Sequence, residues 1–214
     1  MEIDYQGAKI FYQATGKGKT IIFLHGFLEN SKMWDEIISS LSNNYQYLTI
    51  DLPGHGKSGM IDGISTMESM AEVVQAIVDK LAIKEAIIIG HSMGGYVALA
   101  LADKHPEVVK GLCLLNSTPF SDTPERQELR ERAIEVMKKD KRTFISISIS
   151  NLFAPENILK FNKEINQIKK EAYSMTIVAI ESSLKGMKMR PDRNSVFKNL
   201  DCKKLMVLGK KDNL

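Results

Sequence analysis

The sequence predicts an α/β protein, a mostly parallel sheet with helices on both faces that is interrupted by a helical insertion. Three observations carry this. Continuous apolar runs of strand length, such as Thr20-Ile21-Ile22-Phe23-Leu24 and Ile87-Ile88-Ile89, suit strands buried on both faces. Helical periodicity alternates with these runs as far as about residue 116. Residues 117–199 are then mostly helical and more polar, and a buried-strand pattern resumes at Lys204-Leu205-Met206-Val207-Leu208. The chain divides accordingly into a core over 1–116, a helical lid over 117–199 and a return to the core over 200–214.

The totals agree with one globular domain carrying an insertion: 214 residues, 43% hydrophobic, 26% charged, net charge +3. No dense Lys/Arg stripe interleaved with aromatics occurs, so no nucleic-acid partner is expected. Cys113 and Cys202 are too few for a disulfide framework. No run reaches membrane-spanning length and nothing resembles a signal peptide, so a cytoplasmic protein without a membrane partner is expected.

Taken in order, Ile3-Asp4-Tyr5 and Lys9-Ile10-Phe11-Tyr12 read as a hairpin around Gly7. The strand over 20–24 follows and ends in His25-Gly26-Phe27. Ser31 is placed to cap a helix with Trp34, Ile37, Ile38 and Leu41 on one face. A strand over 45–50 runs into Asp51-Leu52-Pro53-Gly54-His55-Gly56-Lys57-Ser58, a loop dense in turn residues. Ser65 and Glu68 have the spacing of a capping box for a helix over 65–81. The strand over 86–90 precedes a helix apolar nearly all round, which His105-Pro106 should stop. Lys110 to Leu115 reads as another buried strand. In the insertion, Thr123-Pro124 starts a helix, Pro155 a second, and 172–187 form a third. Ile145-Ser146-Ile147-Ser148-Ile149 alternates like a strand, against helical surroundings.

The most informative stretch is Gly90-His91-Ser92-Met93-Gly94. An apolar strand feeds Gly-x-Ser-x-Gly and a helix follows at once, the pattern of a nucleophile elbow. So sharp a turn needs small residues two before and two after the serine, which Gly90 and Gly94 supply. Ser92 would stand at the N-terminus of the helix, where free N–H groups and the dipole favour negative charge. A phosphate cradle is excluded, because Ser92 stands where Gly-x-Gly-x-x-Gly needs glycine and no Gly-Lys-Ser/Thr follows. In open α/β sheets ligands bind at the carboxyl ends of the strands. His25-Gly26-Phe27, Asp51, Ser92, Asn116 and Asp212 all follow strand ends.

His25-Gly26-Phe27, the Asp51–Ser58 loop, the elbow, Arg190-Pro191-Asp192-Arg193 and Val207-Leu208-Gly209-Lys210-Lys211-Asp212 together resemble an α/β-hydrolase of the small, lidded, esterase-like kind. The resemblance implies Ser92 as nucleophile, the N–H groups of Phe27 and Met93 as oxyanion hole, and Asp212 as triad acid. His25, Phe27, Trp34 and Met93 would adjoin the substrate, a small ester or lactone, with no cofactor or metal. Enol-lactonases, cofactor-free haloperoxidases and a lyase share the pattern, so the fold says more than the substrate does. The family's sheet would lack its last strand and helix here.

One departure stands out. The triad order is Ser, acid, His, and no histidine follows Asp212. Three readings remain, in this order: a chain whose histidine-bearing C-terminal segment is lost or is a separate fragment; a catalytically dead binding module; a triad rewired to His25. His91 is expected to point into the packing, His55 to serve its turn, and His105 to play no part. Asp51 should hold its own loop, and Arg190 and Arg193 should pin the lid to the core by salt bridges.

Overall fold

The computed structural model describes residues 1–212. Seven strands form one sheet in the order β1-β2-β4-β3-β5-β6-β7: β1 Glu2–Tyr5, β2 Ala8–Gly16, β3 Lys19–Leu24, β4 Tyr45–Ile50, β5 Ala86–His91, β6 Val109–Leu115 and β7 Lys203–Val207. β1 and β2 are the hairpin and pair antiparallel; from β4 to β7 every pairing is parallel. The helices are α1 Asp35–Ser39, α2 Met67–Lys80, α3 Met93–Lys104, α4 Pro124–Lys139, α5 Lys141–Ser150, α6 Asn162–Ala172, α7 Ile177–Lys188 and α8 Asn194–Asn199. All of α4 to α8 fall between β6 and β7, where the helical insertion was expected.

The period-2 alternation of β3 divides the core. Ile22 and Leu24 join Leu48, Ile50, Ile88, Leu112 and Leu114 in the main cluster, with α2 and α3. Ile21 and Phe23 face the other way, into a small cluster with Trp34 and Tyr47. Each fully buried aliphatic side chain contributes about 1.5–3 kcal/mol, so the α2–α3 face dominates stability. α3 is buried all along Met93–Ala102 and lies beneath the site it begins.

Several local expectations are corrected. Asn30, not Ser31, caps the first helical turn, a 3-10 turn over Ser31–Trp34, its side chain accepting from Lys32 N. Ser31 instead gives its N–H to Asp51. Ile37 and Leu41 are exposed. Thr66 rather than Ser65 caps α2, because Ser182 of α7 accepts the Ser65 N–H and Arg193 occupies Glu68. Pro155 opens only a short 3-10 turn, and the segment read as 172–187 breaks at residues 173–176 before Thr176 caps α7. The alternating Ile-Ser segment is the helix α5: Ile145 and Ile149, four apart, are buried while Ile147 faces solvent. β7 carries a buried-strand sequence but is exposed throughout, with Leu205, Met206 and Val207 uncovered.

Candidate active site

β5 delivers Ser92 into a sharp turn. Its backbone sits at φ 49, ψ −114, a left-handed region that a side chain occupies only under constraint. Two bonds to β6 and its loop supply the constraint: Ser92 N–H donates to Leu115 O at 3.0 Å, and Ser117 Oγ–H donates to Ser92 O at 2.8 Å. The glycines are required by contact. A Cβ on Gly90 would strike the Gly94 carbonyl, and one on Gly94 would strike the Leu24 and His25 carbonyls. Backbone cannot yield as a flexible side chain does. Gly94→Ala is therefore expected to destabilise the fold by about 1–3 kcal/mol or more, read as a fall in the urea midpoint; an unchanged midpoint would refute the jammed elbow.

The Ser92 side chain opens on a cavity of about 390 Å³. Phe27, Tyr96, Leu129, Phe144, Leu184 and Met187 supply apolar wall from the loop after β3, from α3 and from α4, α5 and α7. A second cleft of about 790 Å³ shares Glu29, His91 and Leu152 with the first and extends to Leu115 and Asn116 at the end of β6. Among the described residues, the N–H groups of Phe27 and Met93 donate to no protein group.

The other expected residues separate. Phe27 lines the cavity. The Met93 side chain is buried in the core and does not line the cavity. Trp34 does not reach the cavity: it packs against Phe23 and Tyr47 on the opposite face of the sheet. His25 is wholly buried, its Nδ1 on Gly26 O at 2.7 Å and its Nε2 accepting from Leu52 N–H at 2.9 Å. With both nitrogens used on backbone it shapes the loop and neither touches substrate nor serves as base. The His55 ring lies tilted beside it, and burial, with the neighbouring His25, pushes its pKa down to about 3. Asp51 braces its loop through Ser31 N and Lys57 N, both at 2.8 Å. Asp212 accepts from Asn116 Nδ2, across the end of β6.

His91 departs from expectation. It faces both cavities rather than the packing, and its Nδ1 meets Glu29 Oε2 at 2.8 Å. The same oxygen accepts the Gly26 N–H at 2.8 Å. Burial opposes ionisation of both groups, yet their mutual attraction wins: the Glu29 pKa is lowered and the His91 pKa raised. Glu29 and Ser117 escaped the sequence reading. A carboxylate three residues past His-Gly has no periodic signature, and Ser117 matters only because β6 brings it over the elbow. No histidine hydrogen-bonds the Ser92 hydroxyl among the described residues. No group of three or more His, Cys, Asp or Glu is placed to hold a metal among them, and no helix is long and apolar enough to cross a membrane.

A serine on a strained strand-to-helix turn, at the carboxyl edge of a parallel sheet and beneath an inserted helical layer, defines an elbow-bearing α/β class. Residues 19–156 match the family model described as alpha/beta hydrolase fold, and the chain belongs to that family. Over 112 residues it is 37% identical to the pimeloyl-[acyl-carrier protein] methyl ester esterase of Nitrosomonas europaea, a stretch covering 52% of this chain and 42% of that protein. It is 35% identical over 120 residues to the dihydrolipoyllysine-residue acetyltransferase component of an acetoin cleaving system of Cupriavidus necator, covering 56% and 32%. The matched stretch is thus less than half of either relative. A thermophilic esterase from Thermogutta terrifontis superposes with TM-score 0.88 at 29% identity, over 94% of this chain and 75% of that one. The enol-lactonase from Burkholderia xenovorans superposes with TM-score 0.89 at 20% identity, over 98% and 81%, a likeness of fold.

Proposed function

We propose that this chain is the body of a serine hydrolase acting on a small carboxylic ester or lactone through an acyl-enzyme. The carrying observation is the strained Ser92, set on an apolar cavity beside the unspent N–H groups of Phe27 and Met93. In this reading Ser92 Oγ attacks the carbonyl carbon, and the two N–H groups hold the oxyanion. The tetrahedral adduct collapses with loss of the alcohol, and water then releases the acid. The helices over 117–199 act as a lid whose underside forms the acyl pocket. Asp212 orients a histidine contributed from beyond these 214 residues, which takes the serine proton and returns it to the leaving oxygen. No cofactor enters, and a cytoplasmic setting fits. The esterase relatives support ester chemistry.

A second reading has its own observation. Without a base at Ser92 the chain would serve as a ligand-binding module using the same cavity. Intact-mass analysis with a fluorophosphonate probe separates the two. A single adduct that Ser92→Ala abolishes is expected of a hydrolase body; unlabelled protein, in the presence of any histidine-bearing continuation, would leave the binding module.

A further inference from the structure

The loop after β3 and the elbow after β5 carry the two proposed oxyanion donors, and one carboxylate oxygen joins them. Glu29 Oε2 accepts from Gly26 N–H and from His91 Nδ1–H, each at 2.8 Å. Gly26 immediately precedes Phe27, and His91 immediately precedes Ser92 and stands two before Met93. The junction is closed: the Glu29 side chain is 9% exposed and His91 17%. It is also tight, since a Cβ on Gly26 would strike Glu29 Oε2 and sit 2.8 Å from His91 Nδ1. No other described side chain bonds both segments. The two donors belong to strands that are neighbours in the sheet, but the β3–β5 ladder ends at Leu24 and Gly90, before either donor, and the elbow's remaining ladder bonds run to β6 on its other side.

We infer that Glu29 is a positioning residue that sets the spacing between the Phe27 and Met93 N–H groups. The inference rests on the hydrolase reading of Ser92. Its physical content is that an oxyanion site works by being rigid before charge develops, so the donors need a brace independent of substrate. A carboxylate can only accept, so His91 Nδ1 carries a proton in this bond. Because both bonds fall on one oxygen, the amide of glutamine can accept both. Aspartate, one methylene shorter, cannot reach both.

Phenylboronic acid tests this without a general base. Boron accepts a Ser92 Oγ lone pair, the serine proton passes to solvent, and a tetrahedral boronate anion forms at the oxyanion site. Its ¹¹B resonance marks the adduct, and benzamide, planar and neutral, reports the cavity alone. In the 214-residue chain, E29A and E29D are expected to weaken phenylboronic acid by about tenfold or more with benzamide binding unchanged, and E29Q is expected to recover most of the loss. Equal boronate affinity in all four proteins would overturn the inference. So would a loss in E29Q as large as in E29A, which would assign the effect to charge. E29D keeps the test open should E29A fail to fold. Should the short chain form no tetrahedral adduct, the same four proteins are compared joined to a histidine-bearing C-terminal segment; absence of any adduct there too would overturn the hydrolase reading, and the inference with it.

Discussion

Joined to a C-terminal segment that brings a histidine beside Asp212, the chain should hydrolyse a p-nitrophenyl ester on the order of 10⁶ times faster than residues 1–214 alone. The magnitude follows from what is absent at Ser92. A serine hydroxyl is a weak nucleophile until a neighbouring base takes its proton, and none of the present histidines does so. His25 spends both nitrogens on backbone, and burial keeps His55 neutral without placing it at Ser92. His91 gives Nδ1 to Glu29 and makes no hydrogen bond to the Ser92 hydroxyl. Space for the missing ring exists, in the cleft walled by His91, Leu115 and Asn116, with Asp212 hydrogen-bonded to Asn116. An edge for such a segment to pair with exists too, in β7, whose Leu205, Met206 and Val207 are exposed. The measurement is steady-state turnover of the extended chain and of the same chain with its added histidine replaced by alanine. An extended chain as inert as the short one would sink the hydrolase reading and favour the binding module.

The same comparison shows which features a sequence displays. The elbow was legible because its demand is local: only glycine avoids the Leu24, His25 and Gly94 carbonyls, and glycine is visible as a letter. The alternation of helix and strand was legible because burial imposes a period. Features decided by distant contacts were not. Ser65 and Thr66 are equally good caps on paper, and Ser182, more than a hundred residues on, settles the matter by accepting the Ser65 N–H. Trp34 reads as core or pocket wall, and only the strand alternation of Phe23 assigns it to the far face. β7 reads as buried because its residues are apolar, yet it is the edge strand of the sheet and exposed along its length. Glu29 gains meaning only from His91, 62 positions later.

The salt bridges expected of Arg190 and Arg193 are present, and one of them bears the larger stability. Arg193 reaches Glu68 at 2.5 Å and Asp103 at 3.3 Å, tying the end of the insertion to α2 and α3. Both acids are partly exposed, so the link is weakened by solvent. Asp122 differs. Its carboxylate is fully buried, Arg190 Nη1 meets it at 2.7 Å, and Arg130 of α4 takes its other side. Arg190 is nearly as buried, lies over the Tyr96 ring at 3.9 Å and donates to Met187 O and Phe120 O. Asp122 thereby joins α4, the exit of α7 and α3 beneath Ser92. Asp122→Ala would leave the buried Arg190 charge without its carboxylate, and an unpaired buried ion costs about 3–5 kcal/mol. For a chain of this size that corresponds to a fall in Tm of roughly 6–20 °C. Acid should reproduce part of it. Burial opposes ionisation of Asp122, but Arg130 and Arg190 outweigh it and hold its pKa below the usual value. Its stabilisation is therefore complete above the unfolded pKa of about 3.9 and drains away as pH falls through the lower folded value. Calorimetry against pH should show that loss in the parent chain and not in Asp122→Asn. If the asparagine variant melts at the parent temperature at neutral pH, the carboxylate charge is not what fastens the helical layer over Ser92.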